Sequence, residues 1–451
     1  MKAAWTEPRP KGAVADALLR TTAPFGRGSV WQPFAYPISI RLSRHRDFLK
    51  LWTGQTISAV GSRITREGLP LTAVFVLGAT PVQMGRLAAV GSASVLLFSL
   101  AAGVIVDRVS RRSIMIGADL GRAALLMSVP ILALTHSLSL AHLIAVAALA
   151  GILTVLFDVA YQSYLPSLVQ PADLLEGNRL LSLSGATAEV IGPLSTGVLV
   201  KLLTAPIAIL LDALSYLVSA ISVWAIRARE PHLAPAVQES ASAELLAGIK
   251  TVMGHFVLRL LLLRSVMAFL FMGAIFAFYT LYAIKTLGLS TVSLGFAIAC
   301  GGAGSVLGGN FAGRIAKRVH WKYSFPASAL VISVTQAFFP LASAFPRWAL
   351  LFVCIQQVVG DFAWTLYYVN ENTLRQTVVE GHLLGRANAA MQFASRGMMS
   401  IGALGAGYVA AEIGMVNTLW IGVAGIAVST LWLVPLITYK ELEPEGLAPR
   451  G

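Results

Sequence analysis

Long apolar runs separated by short polar breaks dominate the chain. A helix needs about 20 mostly apolar residues to cross a bilayer. Twelve runs have that length: 51–77, 83–106, 113–135, 140–164, 181–203, 206–226, 260–284, 291–312, 323–344, 347–369, 387–410 and 416–438. Most connectors are short, as expected between antiparallel neighbours. The longest break, 227–259, follows the sixth run and holds Arg227, Arg229, Glu230, Pro231 and Pro235, then a helical stretch from Ala241 to Phe256. The pattern predicts an all-α membrane protein with twelve transmembrane helices in two six-helix pseudo-repeats. Its parts are a tail (1–47), a first six-helix half (48–226), a linker (227–259), a second half (260–438) and a closing tail (439–451).

Composition agrees with this. Of 451 residues, 56% are hydrophobic and 12% charged, about half the charge of a soluble domain. The net charge of +13 would point to nucleic acid in a soluble protein. Here its placement points to topology. Lys and Arg crowd the N-terminal tail, the loop after span 2 (Arg108, Arg111, Arg112), the central linker and the loop after span 8 (Arg314, Lys317, Arg318, Lys322). The other side has only Arg86, Lys201, Lys285 and Arg347, near helix ends. The positive-inside bias predicts a multi-pass protein of the cell (cytoplasmic) membrane with both termini cytoplasmic and no nucleic-acid partner. The N-terminal tail lacks the apolar core of a cleavable signal. Cys300 and Cys354 lie in apolar stretches, read as small buried hydrophobes. No phosphate-binding loop, metal spacing or nucleophile motif appears, so the expectation is no enzyme, no cofactor and no metal.

The chain also repeats itself. Gly103-x-x-x-Asp107-Arg108-x-x-Arg111-Arg112 follows span 2, and Gly309-x-x-x-Gly313-Arg314-x-x-Lys317-Arg318 follows span 8 with the same spacing. In that register Gly313 replaces Asp107, so the second half is expected to lack an equal latch. Gly192-Pro193-x-x-x-Gly197 in span 5 faces Gly402 to Gly407 in span 11. Two like-oriented repeats are the parallel-repeat plan of some secondary transporters, with a substrate site between the halves. The Gly103 to Arg112 stretch resembles motif A of the major facilitator superfamily, with Ser110 where a glycine is usual. Ala188-x-x-x-Gly192-Pro193-x-x-Thr196-Gly197 resembles the span-5 motif of its proton antiporters. The stretches from Trp52 to Ser58, Ala118 to Arg122 and Phe157 to Pro166 resemble the branch of enterobactin exporters and macrolide efflux proteins. The resemblance covers about residues 45–438. It implies the major facilitator fold, and a gate in which Asp107 docks at the start of span 11, near Arg386 to Asn388. Arg111 or Arg112 would then pair with Asp158.

Charges inside a bilayer cost a few kcal/mol unless paired or wet, so each is a functional candidate. Arg63 and Glu67 in span 1 are i,i+4 and can pair, as can Asp119 and Arg122 in span 3. Asp158, Glu189, Asp212, Asp361 and Arg396 sit in spans 4, 5, 6, 10 and 11. Glu67 and Glu189 are the best placed proton carriers, while Asp119 and Asp158 read as a structural network with Arg122 and Arg111. Gln55, Tyr161, Gln162, Phe276, Tyr279, Gln356, Gln357 and Trp364 lie on spans 1, 4, 7 and 10, the cavity-lining helices of the family. They suit an amphiphile held by stacking and a few hydrogen bonds. The expectation is a monomeric, proton-coupled exporter of a small amphiphile, drug or siderophore, with protons, substrate and bilayer lipid as its partners. A nutrient importer of the same fold and a non-transporting receptor are the alternatives.

Overall fold

A computed structural model describes residues 42, 45–228 and 241–438, and leaves out the side chains of 100, 101, 104, 107, 241–245, 381 and 382. Most of both expected tails and part of the linker therefore lie outside the described residues. The long helices are α1 (Arg46–Phe75), α2 (Pro81–Arg108), α3 (Arg111–Leu134), α4 (Leu140–Leu168), α5 (Leu174–Leu202), α6 (Ala205–Trp224), α7 (Phe256–Lys285), α8 (Thr291–Arg318), α9 (Trp321–Gln336), α10 (Ala349–Val378), α11 (Gly381–Ile413) and α12 (Met415–Ser429). A shorter linker helix, Ala241–Gly254, precedes α7. Among the described residues, ten helices are long and apolar enough to cross a membrane. The two that fall short are α1, which carries Arg63, Arg66 and Glu67, and α11, which is rich in Gly and Ala and holds Arg386 and Arg396.

Several helices overrun their apolar windows. α4, α8 and α10 continue to Leu168, Arg318 and Val378, while α5 and α11 begin at Leu174 and Gly381. All of these extensions lie at the end of the bundle rich in Lys and Arg. Hydropathy fixes the part that faces lipid, and backbone hydrogen bonding carries the helix beyond it. The reverse holds for span 9, where α9 stops at Gln336 and short turns carry the chain from Phe338 to Trp348.

The internal repeat is visible in the backbone, in a different register from the one the motif spacing predicts. α1 and α7 match end for end, as do α2 and α8, at an offset of 210 residues. The turns repeat as well: Gly78 and Gly288 both take positive φ, a conformation a side chain strains. Thr80 and Ser290 then cap α2 and α8 by accepting backbone N–H groups. Ser110 and His320 cap α3 and α9 in the same way. In this register Gly103 corresponds to Gly313, and Asp107 to Lys317. The match of Gly103 with Gly309 is one helical turn out, because basic pairs sit at the end of α8 and at the start of α3. The position of Asp107 is thus occupied in the second repeat by a cation rather than by Gly313.

Packing repeats with the helices. α1 packs on α5 and α6, α3 on α4 and α6, and α2 on α4; α7 packs on α11 and α12, α9 on α10 and α12, and α8 on α10. The first six helices meet the second six mainly through α2 on α11 and α5 on α8. These contacts lie at the end opposite the Lys/Arg-rich one. A Cβ on Gly407 would sit 3.1 Å from Val82 Cα, and Thr291 donates its hydroxyl to the Gly197 carbonyl at 2.9 Å. Towards the cationic end, a Cβ on Gly103, Gly185, Gly309, Gly313 or Gly385 would meet nothing within 4 Å.

Candidate functional site

Mid-helix charges on α1 anchor the site. Arg63 forms an ion pair with Glu189 on α5, and Arg66 lies 4.0 Å from Glu67. The i,i+4 spacing allowed Arg63 to pair with Glu67, yet Arg63 turns to α5. Gly192 gives the reason. It lies one turn from Glu189, and a Cβ there would meet the Arg63 stem, with Cγ at 2.8 Å. Only a residue without a side chain lets the arginine lie across α5. Pro193 adds a second effect: it has no N–H for the carbonyl of Glu189, four residues back. That carbonyl faces Gly302 of α8, where a Cβ would lie 3.3 Å from it. The glycine-proline motif therefore connects α5 to both α1 and α8.

The second six helices complete the cluster. Asp361 on α10 lies within electrostatic reach of Glu189 and Arg66, and Tyr279 on α7 within reach of Glu67 and Asp361. Asp361 packs against Gly301 of α8. The structure thus brings Arg63, Arg66, Glu67, Glu189 and Asp361 together from α1, α5 and α10. The Glu189 side chain is 48% exposed and that of Glu67 is 17% exposed. The cluster holds two cations and three carboxylates.

A separate buried knot lies among α3, α4 and α6. Asp119 is ion-paired with Arg122 and fully buried. The Arg122 guanidinium lies 4.6 Å from the Phe157 ring and 4.1 Å from the Tyr216 ring, a stacked cation–π arrangement. Asp158 is exposed and lies within electrostatic reach of Arg122. The expected pairing of Arg111 or Arg112 with Asp158 gives way to carbonyl contacts. Arg111 donates to the Ser163 carbonyl at 2.7 Å, and Arg112 donates to the carbonyls of Val223 and Trp224. Arg112 thereby caps the C-terminus of α6, where orphan carbonyls and the helix dipole favour a cation.

The other residues expected to form a gate differ in exposure. Arg108 is exposed and Gly103 half-buried; the Asp107 side chain lies outside the described residues. The expected docking place for Asp107 at the start of α11 is faced by the linker helix. Gly248 packs there against the Arg386 carbonyl, and its Cβ would lie 3.1 Å from Ala390. Arg396 is exposed on α11. At the N-terminus of α1, Asp47 accepts the backbone N–H groups of Arg227 and Ala228 at 3.2 and 3.1 Å, and Lys50 donates to Asp47 and to the Ala225 carbonyl. Burial pushes the Asp47 carboxyl up, but Lys50 and the two N–H groups outweigh it and hold the group below the usual carboxylate range.

The expected cavity residues divide into two sets. Phe276 and Gln162 are exposed, and Tyr161, Tyr279 and Gln357 half-buried. Gln356 is buried and donates to Gln336 at 3.0 Å, Gln55 donates to Ser219, and Trp364 packs edge-on against Phe269 at 5.8 Å. These three are tied within their own six-helix group. Sequence reasoning missed a buried group in the second repeat. Arg264 on α7 is 1% exposed and stacks 4.0 Å from Tyr367, with Glu371 and Arg375 paired at 3.6 Å on α10. Glu371 and Arg375 lie beyond the apolar window of span 10, where their i,i+4 spacing is the available signal. Tyr367 and Phe157 are related by the 210-residue repeat, so each repeat stacks a buried arginine on the same ring position. The arginine comes from α3 in one case and from α7 in the other.

Comparison with known proteins decides the family. The profile of the transmembrane secretion effector family matches residues 39–450. The chain belongs to that family, within the major facilitator superfamily. An uncharacterized MFS-type transporter of Bacillus subtilis (strain 168), YfiS, is 23% identical over 402 residues, which cover 88% of this chain and 94% of that protein. Among solved structures, the nucleoside transporter NupG superposes with TM-score 0.70 at 10% identity over 87% of this chain and 100% of its own. A bacterial homologue of the iron transporter ferroportin, in an inward-facing state, gives 0.69 at 14% identity over 87% and 99%. These likenesses establish the fold. This transmembrane secretion effector family member is a multi-pass membrane transporter of the major facilitator fold.

Proposed function

We propose that the chain is a monomeric proton-coupled exporter of a small amphiphilic compound, drug or siderophore, with both termini cytoplasmic. It works by alternating access between two six-helix halves, without enzymatic chemistry or a cofactor. The observation that carries the reading is the Arg63–Glu189 pair with Glu67 and Asp361 beside it. Export against proton entry needs a carboxylate whose proton affinity changes between states. Losing a cation raises that affinity and gaining one lowers it. Glu189 is half exposed and lies within electrostatic reach of Asp361 on α10, so movement of one six-helix group against the other changes its surroundings. The one-ended contact between the two helix groups supports rocking, since contacts made at one end can exchange for contacts at the other.

The test uses proteoliposomes carrying a pH-sensitive dye, with lipophilic dyes and catecholate siderophores as substrates. Wild-type protein should move protons when substrate is added, and inverted vesicles with an acid interior should accumulate substrate. Glu189→Gln or Glu67→Gln should abolish proton movement while substrate still binds. Full coupling in both variants would overturn the assignment.

A further inference from the structure

The chain has only two cysteines, and the fold brings them together. Cys300 on α8 and Cys354 on α10 are both free and half-buried, and each lies one helical turn before the place where Gly304 packs against Val358. Close approach of the two helices sets the cysteines side by side in register. A Cβ on Gly304 would lie 3.0 Å from Val358 Cα, and one on Gly308 would lie 2.9 Å from Thr365 Cβ. Side chains at these positions would push α8 away from α10 and part the thiols. The pair lies near the charged cluster of α1, α5 and α10. Tyr279 lies within electrostatic reach of both thiols, Glu67 and Asp361. Its hydroxyl is buried without a hydrogen-bond partner among the described residues, and its ring is fixed by stacking on Phe339 at 4.8 Å.

We infer that Cys300 and Cys354 form a two-thiolate site for a soft monovalent cation, Cu(I) or Ag(I), beside the charged cluster. The ligand set selects the ion. Zinc takes four ligands in structural sites and three protein ligands in catalytic ones, whereas no three His, Cys, Asp or Glu side chains converge among the described residues. Magnesium and calcium need several oxygens. Thiolates select Cu(I) among the soft ions, and a closed-shell monovalent ion is satisfied by two of them. Each S–H bond gives up its proton as a sulfur–metal bond forms, so two protons leave, no electron moves, and the site goes from neutral to a net single negative charge. The Tyr279 hydroxyl, within electrostatic reach of both sulfurs, is then a donor available to one thiolate. The soft cation is a second ligand class for this region of the fold. It does not depend on which carboxylate carries a proton or on the direction of transport.

Full-length protein in detergent, kept anaerobic, would be incubated with Ag(I), desalted and analysed for silver by mass spectrometry. Wild type should retain about one silver ion per chain above the C300S/C354S double variant, which measures background binding by the 11 methionines. C300S and C354S should each lower affinity by roughly 10-fold or more, since each removes a direct ligand. Silver should also protect both thiols of unaltered protein from maleimide, a measurement that needs no variant to fold. Equal retention by wild type and double variant, wild-type affinity in either single variant, or equal labelling with and without silver would each overturn the inference.

Discussion

At the scale of single residues, the two stacked arginines differ in their dependence on a partner. Arg122 is paired with Asp119, which has no exposure and no other cation in contact among the described ion pairs. Removing the guanidinium leaves a carboxylate buried and uncompensated, which costs about 3–5 kcal/mol. Arg122→Leu should therefore lower the thermal midpoint in detergent sharply, and the double variant Asp119→Asn, Arg122→Leu should recover most of the loss. If the double variant is as unstable as the single one, stacking on Phe157 and Tyr216 rather than charge holds the knot. This pair was legible in the sequence because its members share a helix face. Arg264 was not, because its contacts, Tyr367 and Glu371, come from another helix.

At the scale of elements, the close passage of α1 over α5 rests on the missing side chain at Gly192. Gly192→Ala puts a methyl into the stem of Arg63, an overpacking that costs about 1–3 kcal/mol. It should loosen the Arg63–Glu189 pair and so reduce proton movement in the proteoliposome assay with little change in expression. Unimpaired coupling in that variant would show that the pair tolerates a different path for Arg63. The sequence placed the helices well, because bilayer thickness imposes their length and Ser and Thr caps mark their starts. It misled on helix ends at the cationic side, where lipid no longer dictates composition. It also misled on repeat register, because a basic pair can end one helix or begin the next without a change of spacing. The pairing of Arg63 was equally hidden, since local spacing offered Glu67 and only packing on Gly192 selects Glu189.

At the scale of the whole molecule, the start of α1 is tied to the chain just after α6 through Asp47, Lys50, Arg227 and Ala228. The folded-state pKa of Asp47 is depressed, so its contribution is present above the ordinary carboxylate pKa of about 4 and is lost as pH falls through the lowered value. Asp47→Asn should therefore reduce stability at neutral pH and leave it less dependent on pH below about 4, measured by thermal unfolding across a pH series. An unchanged acid slope would remove Asp47 from the account.

If Glu189 carries the proton as proposed, its place in the fold has a consequence for the timing of transport. Its side chain holds α1, and its backbone carbonyl, which receives no N–H from Pro193, faces α8. The carboxyl proposed to carry the proton and the carbonyl beside α8 are thus parts of one amino acid. On the proposed mechanism no relay of intermediate residues separates chemistry from movement, so a proton arriving at the carboxyl would act directly where α5 meets α1 and α8. A delay between the two events would have to come from the bulk motion of the helices, not from a signal crossing the protein.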